Sequence, residues 1–498
     1  MNGIRTASPG MQFGAAMLPT RVLGEDFAPP RALYLTHIPA ILMLTGLLTW
    51  IVGNELSMVV SAAVAGLIAC YLLWEWLFRE APTRFSTLLA MALLLGYGLG
   101  AVTTWLTLPK GGLPLAAVLG ADEGVLARGM GAVLISGALL CFFGELYERP
   151  LFGREFRIPL DSRTNWLIYL GTIAIAIGYF THSLGYGGET KVFGEQQSAF
   201  SELLAWLFAP LTALTAAVLL STSKGLSKLL LGICTLILCT FLMTIGRRVI
   251  VYTAIEILFA LRLTGYRLKG ALFRKALLLA ATCFFMVLGV SVFSLLRLAA
   301  SVNHYDANTS LVQRIQIAMT WAEDGTALTR AIEANNNNVQ RKRPFVLGFF
   351  ADVLEGSSQK APGLGRDFMG LASLAVPRLI NPGKDLTFAE EGLDDELFGL
   401  TYKDAANSIL TNGATDFGLL GAIVYPLLLV WFLRFSVESL SRFLPAVPMA
   451  IIVLGTIFCL LQAENSTTAY FVTIRNAIIF SVILLIFVRL PHIRLRSQ

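Results

Sequence analysis

The sequence predicts an all-α polytopic membrane protein with about twelve transmembrane helices and one long, partly helical outer loop before the last three spans. Of the 498 residues, 56% are hydrophobic and only 14% are charged, whereas a soluble domain carries about 25% charged residues. Apolar runs of roughly 20 residues recur along the chain, and a hydrophilic stretch from Ser301 to Asn412 interrupts them. A connection of roughly 110 residues is far longer than usual and is expected to be functional.

The expected spans follow from the positions of the apolar runs. They cover residues 33–53, 57–77, 85–106, 129–147, 165–184, 202–220, 229–245, 249–261, 276–296, 417–433, 447–463 and 476–488. Lys and Arg residues accumulate on the cytoplasmic side of membrane proteins. With the N-terminus in the cytoplasm, the short outer loops hold only Lys110, Arg128, Lys191, Arg247, Arg248 and Arg475. Both ends of the chain are therefore expected inside and the long loop outside.

The pair Arg247 and Arg248 tests this orientation. One helix over residues 229–261 would be about 50 Å long, too long for a single crossing of a ~30 Å hydrocarbon core. Two shorter helices that meet at Gly246 fit better, and their turn would face the same side as the long loop. The alternative is a cytoplasmic stop-transfer pair, which would place the loop inside.

Several function classes lack their sequence signals. No basic run with interleaved aromatic residues indicates nucleic-acid binding. The six cysteines all lie in apolar stretches and show no metal-site spacing. Neither a phosphate-binding loop nor a Ser/His/Asp arrangement is evident. Within the long loop, residues 345–354 are apolar enough to lie on the membrane surface or over a cavity.

Cationic side chains are expected to gather at the outer membrane–water boundary. The set comprises Arg247, Arg248, Arg297, Arg314, Arg378, Lys384 and Arg475. Cations at this level suit a substrate with phosphates at the headgroup level, and the planar fork of arginine binds phosphate oxygens in a bidentate manner. For Arg297 and Arg475, which flank spans, interfacial snorkelling is the alternative.

Candidate proton acceptors lie on the same side. They are His304, Asp306, Asp416 and Glu464. His304, in the segment NHYD, could take a proton from an attacking hydroxyl or serve as a hydrogen-bonded structural residue. Asp416 stands at the start of a span, where it could cap a helix or act in catalysis. Glu464, at a helix end, could orient an arginine.

The segments VPRLINPGKD and NSILTNGATDFGLLGAIVYPLL resemble the Wzy-type O-antigen and exopolysaccharide polymerases. The features in common are Pro377-Arg378 before Lys384, and Asp416-Phe417-Gly418 with Gly421 at the start of a span. The turn Gly246-Arg247-Arg248 and the arginine at position 475 are also similar. Here Ile380-Asn381-Pro382-Gly383 replaces the aromatic-Pro pair that the family usually has before the lysine.

The resemblance implies an inverting, metal-independent glycosyltransferase of the bacterial inner membrane that needs no cofactor. Such enzymes transfer a glycan from undecaprenyl pyrophosphate to another lipid-linked unit. Arginines would stabilise the departing pyrophosphate, and the base would be His304, or else Asp306, Asp416 or Glu464. Residues 298–416 would form a periplasmic catalytic loop between transmembrane segments 33–297 and 417–488, with residues 1–32 and 489–498 in the cytoplasm. Expected partners are the lipid-linked glycans, membrane lipids and a polysaccharide chain-length regulator, with no nucleic acid.

Three alternatives stay open from the sequence. An O-antigen ligase would share this layout. A transporter or flippase with about twelve spans is a different class, but the spans carry few ionisable residues, namely Glu75, Glu145 and Glu256. A metal-dependent glycosyltransferase would need an outer acidic pair, for which Asp122 and Glu123 are the candidates.

Overall fold

Apolar runs fold into helices in the part of the chain that the structure, a computed structural model, describes. The described residues are 32–78, 83–107, 121–148, 158–181, 199–222, 225–245, 247–265, 288–289, 291, 295, 315–317, 319–321, 346–377, 380–381, 390–400 and 407–494. Within these ranges the structure contains helices and turns and no β-strand.

The helices follow the sequence in two groups that the long hydrophilic stretch separates. The first group is α1 (Ala32–Val52), α2 (Glu55–Phe78), α3 (Phe85–Leu93), α4 (Gly100–Thr107), α5 (Glu123–Tyr147), α6 (Ser162–Phe180), α7 (Ala199–Ser221), α8 (Leu226–Ile245) and α9 (Arg247–Leu263). The second group is α10 (Val346–Gln359), α11 (Arg366–Ala375), α12 (Glu390–Phe398), α13 (Ile409–Ser441), α14 (Ala446–Leu460) and α15 (Thr467–Arg494). A π-helical segment, Leu94–Leu99, joins α3 to α4.

The described residues confirm an all-helical, multi-pass membrane protein. Six helical stretches are long and apolar enough to cross a bilayer: Glu55–Trp76, Phe85–Thr103, Glu123–Tyr147, Phe200–Ser221, Ile409–Ser441 and Thr467–Ile486. Shorter apolar helices cover His37–Val52, Leu226–Leu242 and Ala446–Leu460. The number of twelve spans stays a prediction, and most of the expected ninth span, 276–296, lies outside the described residues.

Close helix packing depends on small residues, as is usual where lipid replaces water. Between α1 and α5, a Cβ on Gly46 would lie 2.9 Å from the carbonyl oxygen of Gly131, and a Cβ on Gly131 would lie 2.8 Å from that of Gly46. Neither position can hold a larger side chain unless the backbones separate. Thr49 and Ser61 add a buried hydroxyl–hydroxyl hydrogen bond between α1 and α2.

The segment from α8 to α9 is a helical hairpin. α8 begins at Leu226, five residues after Ser221 finishes α7. The Ser221 hydroxyl also shares a 2.8 Å hydrogen bond with the hydroxyl of Thr264, directly after α9. Since α8 begins and α9 ends beside Ser221, the chain reverses between Ile245 and Arg247 at the opposite end. Two short helices therefore replace the single long helix, as the length argument predicted.

We name the two ends of the bundle after the ends of α7, the Ser221 end and the Glu202 end. Arg262, near the close of α9, lies 5.2 Å from the ring centroid of Trp76 in α2. The indole N–H of Trp76 donates to the hydroxyl of Thr83, just before α3, at 3.0 Å. The junction of α2 and α3 therefore lies at the Ser221 end.

Helix α10 is embedded in the bundle. Val346, Leu347, Phe349 and Phe350 are each at most 1% exposed, and α10 packs against α5 and α13. The sequence left open a position on the membrane surface or over a cavity. The structure instead shows a helix that is buried between two membrane helices.

Candidate functional site

The carboxylate of Asp416 lies at the N-terminus of α11, a different helix from its own. Its Oδ1 accepts hydrogen bonds from the backbone N–H groups of Gly365 and Asp367, both at 3.0 Å. Its Oδ2 accepts from the N–H of Phe368 at 2.8 Å and from the hydroxyl of Tyr425 at 2.6 Å. The first N–H groups of a helix lack partners within it, so this anion stabilises the start of α11.

Asp416 therefore caps a helix, but this helix is α11 and not the span at whose start the sequence placed it. The side chain is fully buried, and its two oxygens already accept four hydrogen bonds. A carboxylate offers about four lone-pair positions. A proton from a substrate hydroxyl would find no free position until α11 moved away.

A break in α13 directly follows Asp416. Phe417 has φ −142° and ψ 22°, and Gly418 has φ 61° and ψ −143°, a backbone conformation that favours glycine. A Cβ on Gly421 would collide with the carbonyl oxygen of Gly413, so segment 409–416 folds back against segment 419–441. The span expected to begin at Phe417 is therefore preceded by its own helical segment, which the sequence assigned to the loop.

Arg475 of α15 is held by three partners. Its guanidinium forms an ion pair with Glu202 of α7. Nη1 donates to the carbonyl oxygen of Ala375 at 2.9 Å, and Nε and Nη2 donate to the side-chain oxygen of Asn476 at 3.2 and 3.0 Å. Four of the five N–H groups of the guanidinium are thus used, which leaves one on Nη1.

Arg475 and Asp416 together hold both ends of α11. The anion receives the N–H groups at the start of this helix, and the cation donates to the carbonyl of Ala375, its last residue. Both charges have the sign that the helix dipole favours. An isolated helix of this length is marginal in water, so these contacts from α13 and α15 fix where α11 lies.

The motif arginine Arg378 follows this clamped helix by three residues. Arg378 itself lies outside the described residues. Pro377, directly before it, is the last described residue of this segment.

A buried polar network continues from this site into the first group of helices. Tyr97, in the π-helical segment, shares a 2.6 Å hydrogen bond with Ser408, the N-cap of α13. The backbone N–H of Thr467, at the start of α15, donates to the side-chain oxygen of Asn412 at 2.8 Å. π-Helical turns occur frequently at functional sites. The half-buried Glu464 lies three residues before Thr467 and is therefore close to this network.

Most of the other expected site residues lie outside the described part of the chain. These are Arg297, His304, Asp306, Arg314, Arg378 and Lys384. Arg247 and Arg248 begin α9, and the hairpin places this start at the end of the bundle away from Ser221, as Arg475 is. The side chains of Arg247 and Arg248 lie outside the described part of the structure. Their role in binding an anion stays a prediction.

The sequence did not single out three residues of this site: Glu202, Tyr97 and Tyr425. Glu202 pairs with Arg475 across 273 positions, and no local pattern reveals such a partner. It is, however, a lone carboxylate at the start of an apolar span, which is a usable signal. The tyrosines resemble ordinary apolar residues of a span until their hydroxyl partners are known.

Two carboxylates within the first group of helices differ in their environment. Glu145 forms an ion pair with Arg84. Glu256, midway along α9, is fully buried, and neither of its oxygens has a hydrogen-bond partner among the described residues. The hydroxyl of Thr253, one turn earlier, is also buried without a hydrogen-bond partner among the described residues. A buried polar group without a partner is costly, and in a membrane it is a candidate functional feature.

Comparisons with protein-family models, with curated proteins and with solved structures find no match to this chain.

Proposed function

We propose that the protein is an inverting, metal-independent glycosyltransferase that polymerises repeat units linked to a polyprenyl pyrophosphate at the outer face of the inner membrane. The observation that supports this best is the double anchoring of α11. Arg475 and Asp416, from two membrane helices, hold the helix that leads into Pro377-Arg378. Two of the residues that carry the resemblance, Asp416 and Arg475, thus contact the same helix.

The reaction needs an oxygen nucleophile, a base and an anion site. The acceptor hydroxyl oxygen forms a bond to the anomeric carbon while the bond from this carbon to the pyrophosphate oxygen breaks. The electron pair leaves with the pyrophosphate, and the hydroxyl proton passes to the base. Attack opposite the leaving group inverts the anomeric carbon. Arginines meet the developing negative charge without a metal ion.

In this proposal Arg475 has two tasks. It positions α11 through Ala375, and we assign its remaining Nη1–H, together with Arg378, to the pyrophosphate. Arg247, Arg248 and Arg297, with Arg314 and Lys384, complete the cationic set. The ion pair with Glu202 holds the guanidinium in place before substrate arrives, so less ordering is needed at the moment of binding.

For the base, His304 ranks first, followed by Asp306 and Glu464. Asp416 ranks last because its oxygens are occupied. A ligase of the same superfamily would use the same chemistry with a different acceptor. One observation favours the alternative of a transporter, namely the carboxyl of Glu256, buried in a membrane helix without a hydrogen bond among the described residues.

The deciding experiment supplies purified protein with lipid-linked repeat units in the presence of a chelator. Chain growth supports the polymerase, transfer only to lipid A core supports the ligase, and flux into proteoliposomes without product supports the transporter. Arg475→Ala should abolish product. The matched control is Arg434→Ala, which removes a guanidinium that pairs with Glu438 and donates to the carbonyl of Tyr147. Equal activity of both variants would refute the anion site.

A further inference from the structure

An apolar groove runs along the outside of α8 at the Ser221 end of the bundle. Its volume is about 510 Å³, and it lies between α8 and Leu219 of α7. Along α8 it extends from Gly225 through Lys228 and Gly232 to Leu236. Apart from the lysine, its lining side chains are aliphatic, and Leu236 is 69% exposed.

Glycine creates the floor of this groove. A Cβ built on Gly232 would meet no atom within 4 Å, and the same holds for Gly225. Other helical glycines in the membrane bundle, such as Gly46 and Gly131, lie where two backbones touch. Gly232 has no such neighbour in the described residues, so the absence of its side chain leaves open space on the lipid-facing side.

The dimensions and charge of the groove match one leaflet of a bilayer. From Gly225 to Leu236 the helix rises by roughly 16 Å, about half of the ~30 Å hydrocarbon thickness. Lys228 stands one turn from the end of the groove that lies beside Ser221 and is exposed. A lysine at this level lies where the phosphate of a lipid headgroup would be.

The surroundings of Lys228 favour an anion. The hydroxyl of its neighbour Ser227 accepts a 2.7 Å hydrogen bond from the side-chain amide of Asn165 at the start of α6. Arg163 stands two residues before Asn165, and its charge acts on Asp161, the N-cap of α6. The charge of Arg163 therefore offsets that of Asp161. Lys228, by contrast, forms no ion pair with any described residue.

We propose that this groove holds one acyl chain of a phospholipid with an anionic headgroup, whose phosphate lies against Lys228. The chain would lie over Gly232 toward Leu236, where a bulkier residue would displace it. This site is at the opposite end of the bundle from Arg475 and is independent of the glycosyltransferase proposal. A lipid fits better than a peptide because the groove offers no polar partner beyond the lysine along its length.

Native mass spectrometry of the purified full-length protein tests the proposal, with phosphatidylglycerol and phosphatidylcholine titrated in parallel. Wild type should retain one phosphatidylglycerol and prefer it to phosphatidylcholine. Lys228→Gln should lower that preference about fivefold. Gly232→Leu should remove the bound lipid, and it should still fold because its side chain enters open space. Leu170→Phe, a change at an exposed position of α6 outside the groove, should alter neither the retention of lipid nor the preference for phosphatidylglycerol.

Three results would overturn the proposal. They are equal retention of lipid by wild type and Gly232→Leu, equal binding of the two lipids by wild type, and a protein dimer in place of a lipid adduct. If Gly232→Leu does not purify as folded protein, the headgroup preference of Lys228→Gln still decides the question.

Discussion

Two carboxylates in this protein cap helices other than their own, at opposite ends of the bundle. Glu148, after α5, accepts hydrogen bonds from the N–H groups of Phe85 and Ser86 at 2.6 and 3.0 Å and from the Ser86 hydroxyl. Asp416 accepts three N–H groups of the start of α11 and the hydroxyl of Tyr425. Both side chains are buried.

The helices they cap differ in how much else holds them. The helix that Glu148 caps continues through the π-helical segment and packs along its length against α2 and α5. Helix α11 has ten residues, and Arg475 holds its far end. The cap by Glu148 is therefore one contribution among many at the Ser221 end. At the Glu202 end, the cap by Asp416 determines where a short helix lies. The position of α11 thus depends on a few charged side chains, as we expect for a segment that presents functional residues from a loop.

The largest expected effect is on activity and concerns Arg475. Arg475→Lys keeps the positive charge but loses the planar fork that contacts Glu202, Ala375 and Asn476 together. We expect kcat to fall by about 10²-fold or more, the typical cost of losing a donor to the transition state. Chain-growth assays with lipid-linked repeat units measure this.

Glu202→Gln provides the control for that prediction. It removes the ion pair and leaves the guanidinium, so its loss of kcat should be smaller than that of Arg475→Lys. If Arg475→Lys works as well as wild type, the proposed role of Arg475 in catalysis is refuted.

The next effect is on folding and concerns Asp416. Asp416→Ala leaves three N–H groups and the Tyr425 hydroxyl without their acceptor, and hydrogen bonds to a charged group contribute about 1.5–3 kcal/mol each. We expect a loss of roughly 3 kcal/mol or more, together with faster protease cleavage near residues 360–380. Thermal unfolding in detergent and limited proteolysis measure the two effects.

Asp416→Asn separates shape from charge. The amide retains one acceptor oxygen, so this variant should lie between wild type and Asp416→Ala in stability. Wild-type stability and protection in Asp416→Ala would mean that α11 is held without its cap.

How far the sequence predicted these features depends on the range of the signal. Hydropathy is local, and it predicted the helical membrane class and the division of residues 226–263 into two short helices. The break at Phe417 and Gly418 was missed because the apolar pattern continues through it and only the backbone angles reveal it. Arg475 was selected as a cation at the start of a span, whereas in the structure it is the ninth residue of α15. The position of Glu202 at the start of an apolar span could have marked it as a candidate, but its pairing with Arg475 across 273 positions could not be read from a single sequence.

A smaller effect is expected at the Ser221 end. Glu148→Ala removes the cap of α3 and should cost about 1–2 kcal/mol of stability, the usual range for a lost helix cap. Activity per folded molecule should stay at the wild-type level because this site is remote from Arg475. Unfolding midpoints and kcat, measured on the same preparation, test both statements. A loss of stability that equals that of Asp416→Ala would remove the contrast between the two ends.

The smallest effect is expected for an exposed cap at the Ser221 end. Asp161 is the N-cap of α6 and accepts from the N–H and the hydroxyl of Thr164, both at 2.9 Å. Partial burial raises the pKa of Asp161, but these hydrogen bonds and the charge of Arg163 outweigh it, so the pKa lies below its ordinary value. The folded protein therefore favours the ionised form. Its contribution is complete above the unfolded pKa of about 3.9 and disappears as the pH falls through the lower folded pKa.

Asp161→Ala should accordingly cost about 0.5–1 kcal/mol at neutral pH, and the difference from wild type should shrink as the pH falls below about 4. Unfolding midpoints of both proteins across a pH series, at constant ionic strength, measure the difference. Because Asp161 is exposed, added salt should weaken the share that comes from Arg163 and leave the hydrogen-bonded share in place. A difference that grows toward low pH would mean that Asp161 caps α6 in its protonated form. The cap of α6 would then not depend on a negative charge, unlike the cap that we propose for Asp416 at α11.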